Sequence, residues 1–327
     1  MYNQTESVLA QYEIEVKQTI KGRGSYICDT DKGKRVLVQF RGSPERGEAL
    51  KQYLEGLSDL GFETELIYAN KEGKAVSIDE GTGEKFILKS LQEGSELDPS
   101  KPEDMKAAAA LLGKYHRMAK QIAIDMLPDI FQETGISVTE TKKKHYRELI
   151  KIKNHIRTRK KKNEFERQFM EQCVPIMEKA LRSIQILEQL SPPKEAFCIC
   201  HGDYNQHNVL RKNSKWYMIH MESITYGLPV EDLANFLRKM MEKNRWDLDL
   251  GRSLIDEYVK ASPLTEEEYG HLYALMLFPE RFWKISNHYM NSSKAWVSQR
   301  DIDKLEKAIA QEKNRMDFVE NFVEEMP

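Results

Sequence analysis

Ten residues, His201 to Leu210 (HGDYNQHNVL), constrain this chain more than any other stretch. They lie between two short apolar runs, residues 197–200 and 216–219, a pattern typical of a strand, a polar loop and a second strand. Within the loop, Asp203 stands five residues before Asn208. A carboxylate can accept the proton of an attacking hydroxyl, and an amide oxygen is a suitable ligand for Mg²⁺. For Asp203 and Asn208 alone, the favoured interpretation is a turn in which both residues make local caps.

The spacing of Asp203 and Asn208 resembles the catalytic loop of kinases, where the Asp is the base and the Asn binds Mg²⁺. Because Gly202 stands where protein kinases have Arg, the loop is more similar to that of the aminoglycoside and choline phosphotransferases. The resemblance implies an α+β, bilobal, protein-kinase-like fold of the aminoglycoside phosphotransferase type, with a small β-rich N-lobe and a large helical C-lobe. It also implies ATP and Mg²⁺ as cofactors, without establishing either for this chain.

The first 94 residues have the pattern expected of the small lobe. Runs in which apolar and charged residues alternate predict five strands. A helix after the third strand begins with Ser43 as N-cap and Pro44 in its first turn. We place the lobe boundary near residue 94, so that residues 95–327 form the helical C-lobe and carry the loop at His201.

The resemblance also assigns residues of the small lobe to nucleotide binding. Gly22 and Gly24 lie in the turn between the first two strands, whose amides could contact phosphates. Val38, on the third strand, stands where a lysine would grip the phosphates, and valine cannot neutralise their charge. Glu48 is the candidate carboxylate partner of such a lysine, although a solvated position on the helix is favoured. Leu91 belongs to the hinge that would bind adenine.

The second metal-binding position is also altered. His220 follows Asp203 by 17 residues (220 − 203) and replaces the Asp that the resemblance implies there. An imidazole nitrogen is a poor ligand for Mg²⁺, which prefers oxygen. Glu222 could supply a carboxylate, but it is displaced by about 6–7 Å along an extended chain. A transition-metal site formed by His220 and Glu222 is a less favoured alternative.

Composition excludes several classes of function. Fifty basic and 52 acidic side chains nearly cancel, so no global field attracts nucleic acid or a membrane. The lysine-rich runs at 142–144 and 159–162 favour a solvated helix face, because acidic residues are frequent around them and aromatic residues are not interleaved. Four cysteines without a regular spacing indicate a reducing compartment. The chain shows neither a signal peptide nor an apolar run of about 18 residues, which predicts synthesis in the cytoplasm.

The resemblance becomes specific after the loop. Residues 232–239 (DLANFLRK), 242–247 (EKNRWD) and 279–289 (PERFWKISNHY) are similar to the CotS-type spore coat proteins, whose fold is kinase-like. This resemblance covers most of the chain, from residue 12 to about residue 320. It implies a component of the bacterial spore coat that is made in the mother cell, with other coat proteins as partners. A small-molecule acceptor is the alternative partner.

Two departures from the family pattern argue against activity. Val38 removes a charge that would grip phosphate, and His220 removes a metal ligand. The loss of one such electrostatic group commonly costs about 10² to 10³ in rate. We therefore favour a pseudokinase with a structural or interaction role over a weakly active, ATP-dependent small-molecule phosphotransferase. Binding of nucleic acid is disfavoured by the balanced charge.

Overall fold

The computed structural model describes residues 2–22, 24–122, 130–131, 137–292 and 298–322. Internal contacts divide the chain into two compact units that interleave along the sequence. The first unit comprises Met1–Asp98, Leu111–Glu133 and Phe197–Gly227. The second comprises Pro99–Ala110, Thr134–Ala196 and Leu228–Pro327. An antiparallel sheet dominates the first unit, and helices make up most of the second.

The first unit is built on a six-stranded antiparallel sheet in the order β1-β2-β3-β6-β4, with β5 also paired to β6. Its elements are α1 (Tyr2–Leu9), β1 (Val16–Lys21), β2 (Ser25–Thr30), β3 (Arg35–Gln39), α2 (Pro44–Asp59), β4 (Ile67–Tyr68), β5 (Ser77–Ile78) and β6 (Lys85–Ser90). The sheet has six strands, one more than the five predicted, and its two shortest strands, β4 and β5, both pair with β6. The predicted start of α2 is confirmed, since the Ser43 hydroxyl accepts a hydrogen bond from the Arg46 amide at 3.2 Å.

The two faces of this sheet have different environments. On one face, Val8, Leu9 and Tyr12 from the N-terminal segment pack with Leu37 and Leu88 in a buried apolar cluster. Side chains alternate between faces along a strand. The neighbours of these last two residues, at positions 36, 38, 87 and 89, therefore point to the opposite face.

The rest of the first unit surrounds the loop at His201. Its strands are β7 (Ser95–Glu96), β8 (Cys198–Cys200), β9 (Val209–Lys212), β10 (Lys215–Met218) and β11 (Thr225–Gly227). Strand β9 pairs with both β7 and β10, and β11 pairs with β8. The predicted strands before and after the loop are confirmed as β8 and β10, whereas β9 was not predicted. By its contacts, segment 197–227 groups with the N-terminal sheet, although the sequence placed the loop in the helical lobe. The boundary near residue 94 stays a prediction.

Helices dominate the second unit. They are α4 (Val138–Thr158), α5 (Glu164–Gln189), α6 (Pro229–Met241), α7 (Leu248–Ala261), α8 (Glu266–Leu277), α9 (Glu280–Asn291), α10 (Gln299–Ala310) and α11 (Glu312–Asn321); α3 (Pro102–Ala119) belongs partly to each unit. A core of Leu149, Ile152, Phe169, Phe282 and Leu305 joins α4, α5, α9 and α10. Among the residues that the structure describes, no helix is long and apolar enough to cross a membrane.

Candidate functional site

The loop at His201 is fixed by the imidazole of its first residue. The buried His201 ring accepts a hydrogen bond at Nδ1 from the Asp203 amide, at 3.2 Å, and its Nε2 lies 2.9 Å from the Ile219 carbonyl oxygen. A carbonyl oxygen only accepts, so the ring proton belongs on Nε2. The imidazole thereby ties the loop to the segment that ends in His220.

Gly202 has a physical reason to be glycine. Its φ is +79°, a region that residues with a side chain rarely adopt. A Cβ at this position would also overlap the Ser223 carbonyl oxygen. The Ser223 hydroxyl donates to the His201 carbonyl at 2.9 Å, so the two segments are held close together. This close approach excludes the Arg that protein kinases have here.

Asp203 and Asn208 lie side by side, as the spacing predicted. The Asn208 Nδ2 atom is 3.2 Å from Asp203 Oδ2 and 2.8 Å from the Asp203 carbonyl oxygen. Asp203 is exposed, whereas Asn208 is buried. The amide group therefore orients an exposed carboxylate, an arrangement suited to a base that approaches a hydroxyl from solution. Their catalytic and metal-binding roles stay predictions.

A buried lysine that the sequence analysis missed lies beside Val38. Lys89 on β6 is opposite Val36 on β3, and Ile87 is opposite Val38. All four side chains point to the same face of the sheet, because the positions differ by two along each strand. Val38 carries no charge, but a cation is present on the neighbouring strand.

Lys89 is held between two carboxylates. Its Nζ atom is 3.0 Å from Glu65 Oε2 and 2.6 Å from Glu222 Oε2, and the lysine side chain is only 3% exposed. Glu65 also accepts a hydrogen bond from the Met221 amide at 3.2 Å. Glu48, the candidate partner from α2, instead accepts a hydrogen bond from the Ala75 amide at 2.6 Å. Glu65 and Glu222 are thus the carboxylates that hold the lysine.

The charges of this network stabilise one another. Burial alone would raise the pKa of Glu222, but Lys89 and the hydrogen bond from His220 hold that pKa far below its ordinary value. Burial would likewise lower the pKa of Lys89, and the charges of Glu65 and Glu222 raise it instead. Both Glu222 and Lys89 are therefore ionised at neutral pH.

At the predicted second metal position, His220 and Glu222 already form hydrogen bonds within the protein. His220 has a φ of +63°, and its Nδ1 lies 3.0 Å from Glu222 Oε1. A carboxylate only accepts, so the imidazole donates this hydrogen bond. Both oxygens of Glu222 then have donors, Lys89 at Oε2 and His220 at Oε1. Mg²⁺ prefers oxygen ligands in octahedral geometry, and His220 offers only nitrogen at this position. The residues at this position do not fit Mg²⁺.

The remaining predicted residues occupy the expected elements. The Gly22 amide donates to the Ser25 carbonyl at 2.8 Å, and Gly24 has a φ of +71°, which confirms the tight turn between β1 and β2. Residue 23 of this turn lies outside the described part of the chain. Leu91 directly follows β6 and is half-buried. The part of Gly22, Gly24, Val38 and Leu91 in nucleotide binding stays a prediction.

One signal in the sequence could have revealed Lys89. The strand reads Phe86-Ile87-Leu88-Lys89, so a lysine ends a run of three apolar residues. A charged residue inside a buried strand needs a partner of opposite charge. No local pattern identifies that partner, however, because Glu65 and Glu222 are 24 and 133 positions away.

Comparison with known proteins decides the family. Residues 5–322 match the family model described as "Spore coat putative kinase YutH". The chain belongs to this spore coat family. Spore coat protein S of Bacillus subtilis (strain 168) is 24% identical over 332 residues, which cover 95% of this chain and 90% of that relative. The resemblance to CotS-type proteins is therefore confirmed.

Solved structures confirm the fold of this spore coat family member. An aminoglycoside phosphotransferase from Alicyclobacillus acidocaldarius subsp. acidocaldarius DSM 446 superposes with a TM-score of 0.84 at 16% identity, covering 97% of this chain and 94% of that one. The AMP-bound spectinomycin phosphotransferase APH(9)-Ia gives a TM-score of 0.69 at 15% identity and covers 99% of both chains. The chain has the kinase-like fold of the aminoglycoside phosphotransferases.

Proposed function

We propose that this protein is a structural or interaction component of the spore coat, a pseudokinase that keeps the kinase-like fold without phosphate transfer. Membership of the spore coat family supports the place of action. We infer synthesis in the mother cell, followed by assembly into the coat with other coat proteins. The observation that carries the loss of activity is the buried Lys89, held between Glu65 and Glu222.

The burial of Lys89 argues against a role in gripping phosphate. A lysine that binds a nucleotide must present its ammonium group to the ligand, but this side chain is only 3% exposed. Two of its three N–H donors already point at carboxylates. Withdrawing the ammonium would leave the buried Glu65 and the half-buried Glu222 without a cation, and breaking a buried ion pair costs about 3–5 kcal/mol. Every 1.4 kcal/mol of this cost would weaken the binding of nucleotide about tenfold.

The second candidate function is a weakly active, ATP-dependent phosphotransferase that acts on a small molecule. The exposed Asp203 carboxylate, oriented by Asn208 at 3.2 Å, favours it. The solved relatives include a spectinomycin phosphotransferase with bound ADP and spectinomycin, and an amicoumacin kinase with a bound nucleotide analogue. Such activity would need Asp203 as base, so the two functions separate at this residue.

A nucleotide titration tests the state of the site. We expect the native protein to bind ATP weakly, with less than a twofold change in Kd when Mg²⁺ is added. The double variant Val38→Lys, His220→Asp should bind ATP more tightly, and Mg²⁺ should strengthen that binding. Tight and strongly Mg²⁺-dependent binding by the native protein would contradict the pseudokinase proposal.

The substitution Asp203→Ala separates a structural role from catalysis. We expect sporulating cells with this variant to assemble a coat of normal composition and resistance, because no proton has to be abstracted. Purified native protein should hydrolyse ATP no faster than Asp203→Ala protein. Hydrolysis by the native protein that is lost in the variant would favour the phosphotransferase instead.

A further inference from the structure

A strongly basic segment lies in the other compact unit. Residues 142–162 contain eleven Lys and Arg against one Glu, although the whole chain has a net charge of −2. The single acid, Glu148, accepts a hydrogen bond from Trp283 Nε1 at 2.8 Å. Most of the segment is helix α4, so its cations are arranged by the helical period.

The cations of α4 form a stripe opposite its buried side. Leu149, Ile152 and Ile156 face the core. Lys144, Arg147 and Lys151 are exposed, at spacings of three and four residues that place them on one face. At about 1.5 Å per residue, the stripe runs for roughly 10 Å along the helix.

None of the ion pairs in the described part of the chain includes these three cations, although the charge of Arg147 interacts with that of Glu140. Among the residues that the structure describes, no carboxylate oxygen lies within 4 Å of Lys144, Arg147 or Lys151. The same segment pairs other cations well, since Lys142 contacts Glu280 at 2.8 Å and Arg159 contacts Glu166 at 2.6 Å. Like charges at this spacing weaken a helix slightly. Binding of an anionic partner would remove that repulsion.

Exposed apolar side chains accompany the cations. Helix α4 packs along α5, and both carry exposed aliphatic residues. Ile150 is 36% exposed on α4, and Val174 and Leu181 are 48% and 40% exposed on α5. Val174 and Leu181 are seven residues apart, so they share one face of α5. We call the three cations and these three residues the α4–α5 face.

We propose that the α4–α5 face docks an acidic, amphipathic helix of a partner protein. Carboxylates of that helix would pair with Lys144, Arg147 and Lys151, and its apolar side would cover the aliphatic residues. Single-stranded nucleic acid fits this face less well, because it is bound by cations combined with stacking aromatics. The aromatic residues of these two helices, Tyr146, Phe165 and Phe169, pack into the core instead.

Charge reversal with a matched control tests the proposal. The probe is a fluorescent 20-residue peptide that is helical, acidic on one side and rich in Leu on the other. We expect Lys144→Glu, Arg147→Glu, Lys151→Glu to weaken its binding at least tenfold. The control, Lys17→Glu, Lys32→Glu, Arg41→Glu, makes the same change in net charge at exposed residues of the sheet unit and should change binding less than twofold.

A second variant tests the apolar part of the α4–α5 face. Ile150→Ser, Val174→Ser, Leu181→Ser should weaken binding of the amphipathic peptide and leave binding of polyglutamate unchanged. Circular dichroism checks that this variant keeps the native helix content. Equal effects of the two charge-reversal triples would overturn the proposal. A scrambled peptide that binds as tightly as the amphipathic one would do the same, as would a DNA duplex that binds more tightly.

Discussion

Lys89 pairs with the buried carboxylate of Glu65 at 3.0 Å and with the half-buried carboxylate of Glu222 at 2.6 Å. A buried ion pair adds little net stability when it replaces well-packed apolar residues, because both ions lose their hydration. Removing one partner is different, since the remaining charge has no compensation. Single substitutions in this network should therefore lower the stability of the protein strongly, although the intact network adds little net stability.

We expect Lys89→Met to lower the free energy of unfolding by about 3–5 kcal/mol, because it strands Glu65 and Glu222. Urea unfolding at pH 7 measures this loss. The matched control is Lys34→Met, which removes an exposed lysine that pairs with Glu93 at 2.9 Å, and it should lower the free energy of unfolding far less. Adding Glu65→Gln and Glu222→Gln to Lys89→Met should restore part of the loss. Equal effects of the two lysine substitutions would contradict the role of the buried network.

Gly202 should tolerate a side chain poorly for two reasons. Its φ is positive, and an added Cβ would overlap the Ser223 carbonyl oxygen. Gly73 has a similar φ, +80°, with open space around it. Gly73→Ala should therefore cost only the backbone term, about 1–2 kcal/mol. Gly202→Ala should cost about 1–3 kcal/mol more, because the loop must move. Thermal unfolding of the two variants measures the difference, and a cost for Gly202→Ala no larger than for Gly73→Ala would show that the loop moves freely.

Three helices of the second unit meet at one buried carboxylate. Glu166, in the first turn of α5, is fully buried. It accepts hydrogen bonds from Arg159 at the end of α4 (2.6 Å), from the Asn163 amide (2.9 Å) and from the Tyr289 hydroxyl of α9 (2.9 Å). The Asn163 side chain in turn accepts from the Glu166 amide, which completes a capping box. One residue therefore caps a helix and joins it to two others.

Because Glu166 has more partners than Asn163, we expect its substitution to lower the free energy of unfolding more. Glu166→Ala should cost about 3 kcal/mol, since it leaves the Asn163 amide and the Tyr289 hydroxyl without their acceptor, whereas Arg159, which is 45% exposed, can bind water instead. Asn163→Ala removes the cap and the hydrogen bond from Asn163 Nδ2 to the Tyr289 hydroxyl (2.9 Å), and it should cost about 1–2 kcal/mol. Chemical unfolding followed by circular dichroism compares the two variants. Similar costs would indicate that Glu166 acts only as a helix cap.

Across the whole molecule, each compact unit contains a glutamate with a lowered pKa, half-buried in the first unit and buried in the second. Glu222 lies in the first unit and Glu280 in the second. Burial alone would raise the pKa of Glu280, but the neighbouring His145 imidazole, 3.8 Å away, and the charge of Lys142, whose Nζ is 2.8 Å away, hold that pKa well below its ordinary value. The unfolded chain therefore binds protons at a higher pH than the folded chain does. Stability from both groups is present above about pH 4.5 and is lost as the pH falls.

We expect the free energy of unfolding to fall between pH 5 and pH 3 and to change much less between pH 5 and pH 8. Urea unfolding at pH 3.5, 5 and 7 measures this profile. Glu222→Gln and Glu280→Gln should each flatten the acid limb, because the amide cannot take up a proton. Glu13→Gln, at an exposed position, should leave the limb unchanged. A native profile that is flat down to pH 3 would rule out both carboxylates as the source of acid sensitivity.

Local patterns were enough to predict much of this protein. The polar loop between β8 and β10, the helix start at Ser43 and the turn at Gly22 and Gly24 each depend on residues close together in the sequence. Hydrophobic period, caps and turn residues act over a few positions, so a single sequence reveals them. The family resemblance added the kinase-like fold, which the comparisons confirm.

The chemistry of the candidate site was decided by tertiary structure. From the sequence, Val38 and His220 indicated a site without a phosphate-gripping charge, and Glu222 was left as a candidate metal ligand. In the folded chain, Lys89 places a positive charge on the same face of the sheet as Val38. Lys89 also forms an ion pair with Glu222. Glu65, Lys89 and Glu222 are far apart along the chain and meet because β6 pairs with β3 and β4, while Glu65 binds the Met221 amide. Burial then makes their pairing obligatory, since a charge removed from water requires a partner that no local pattern specifies.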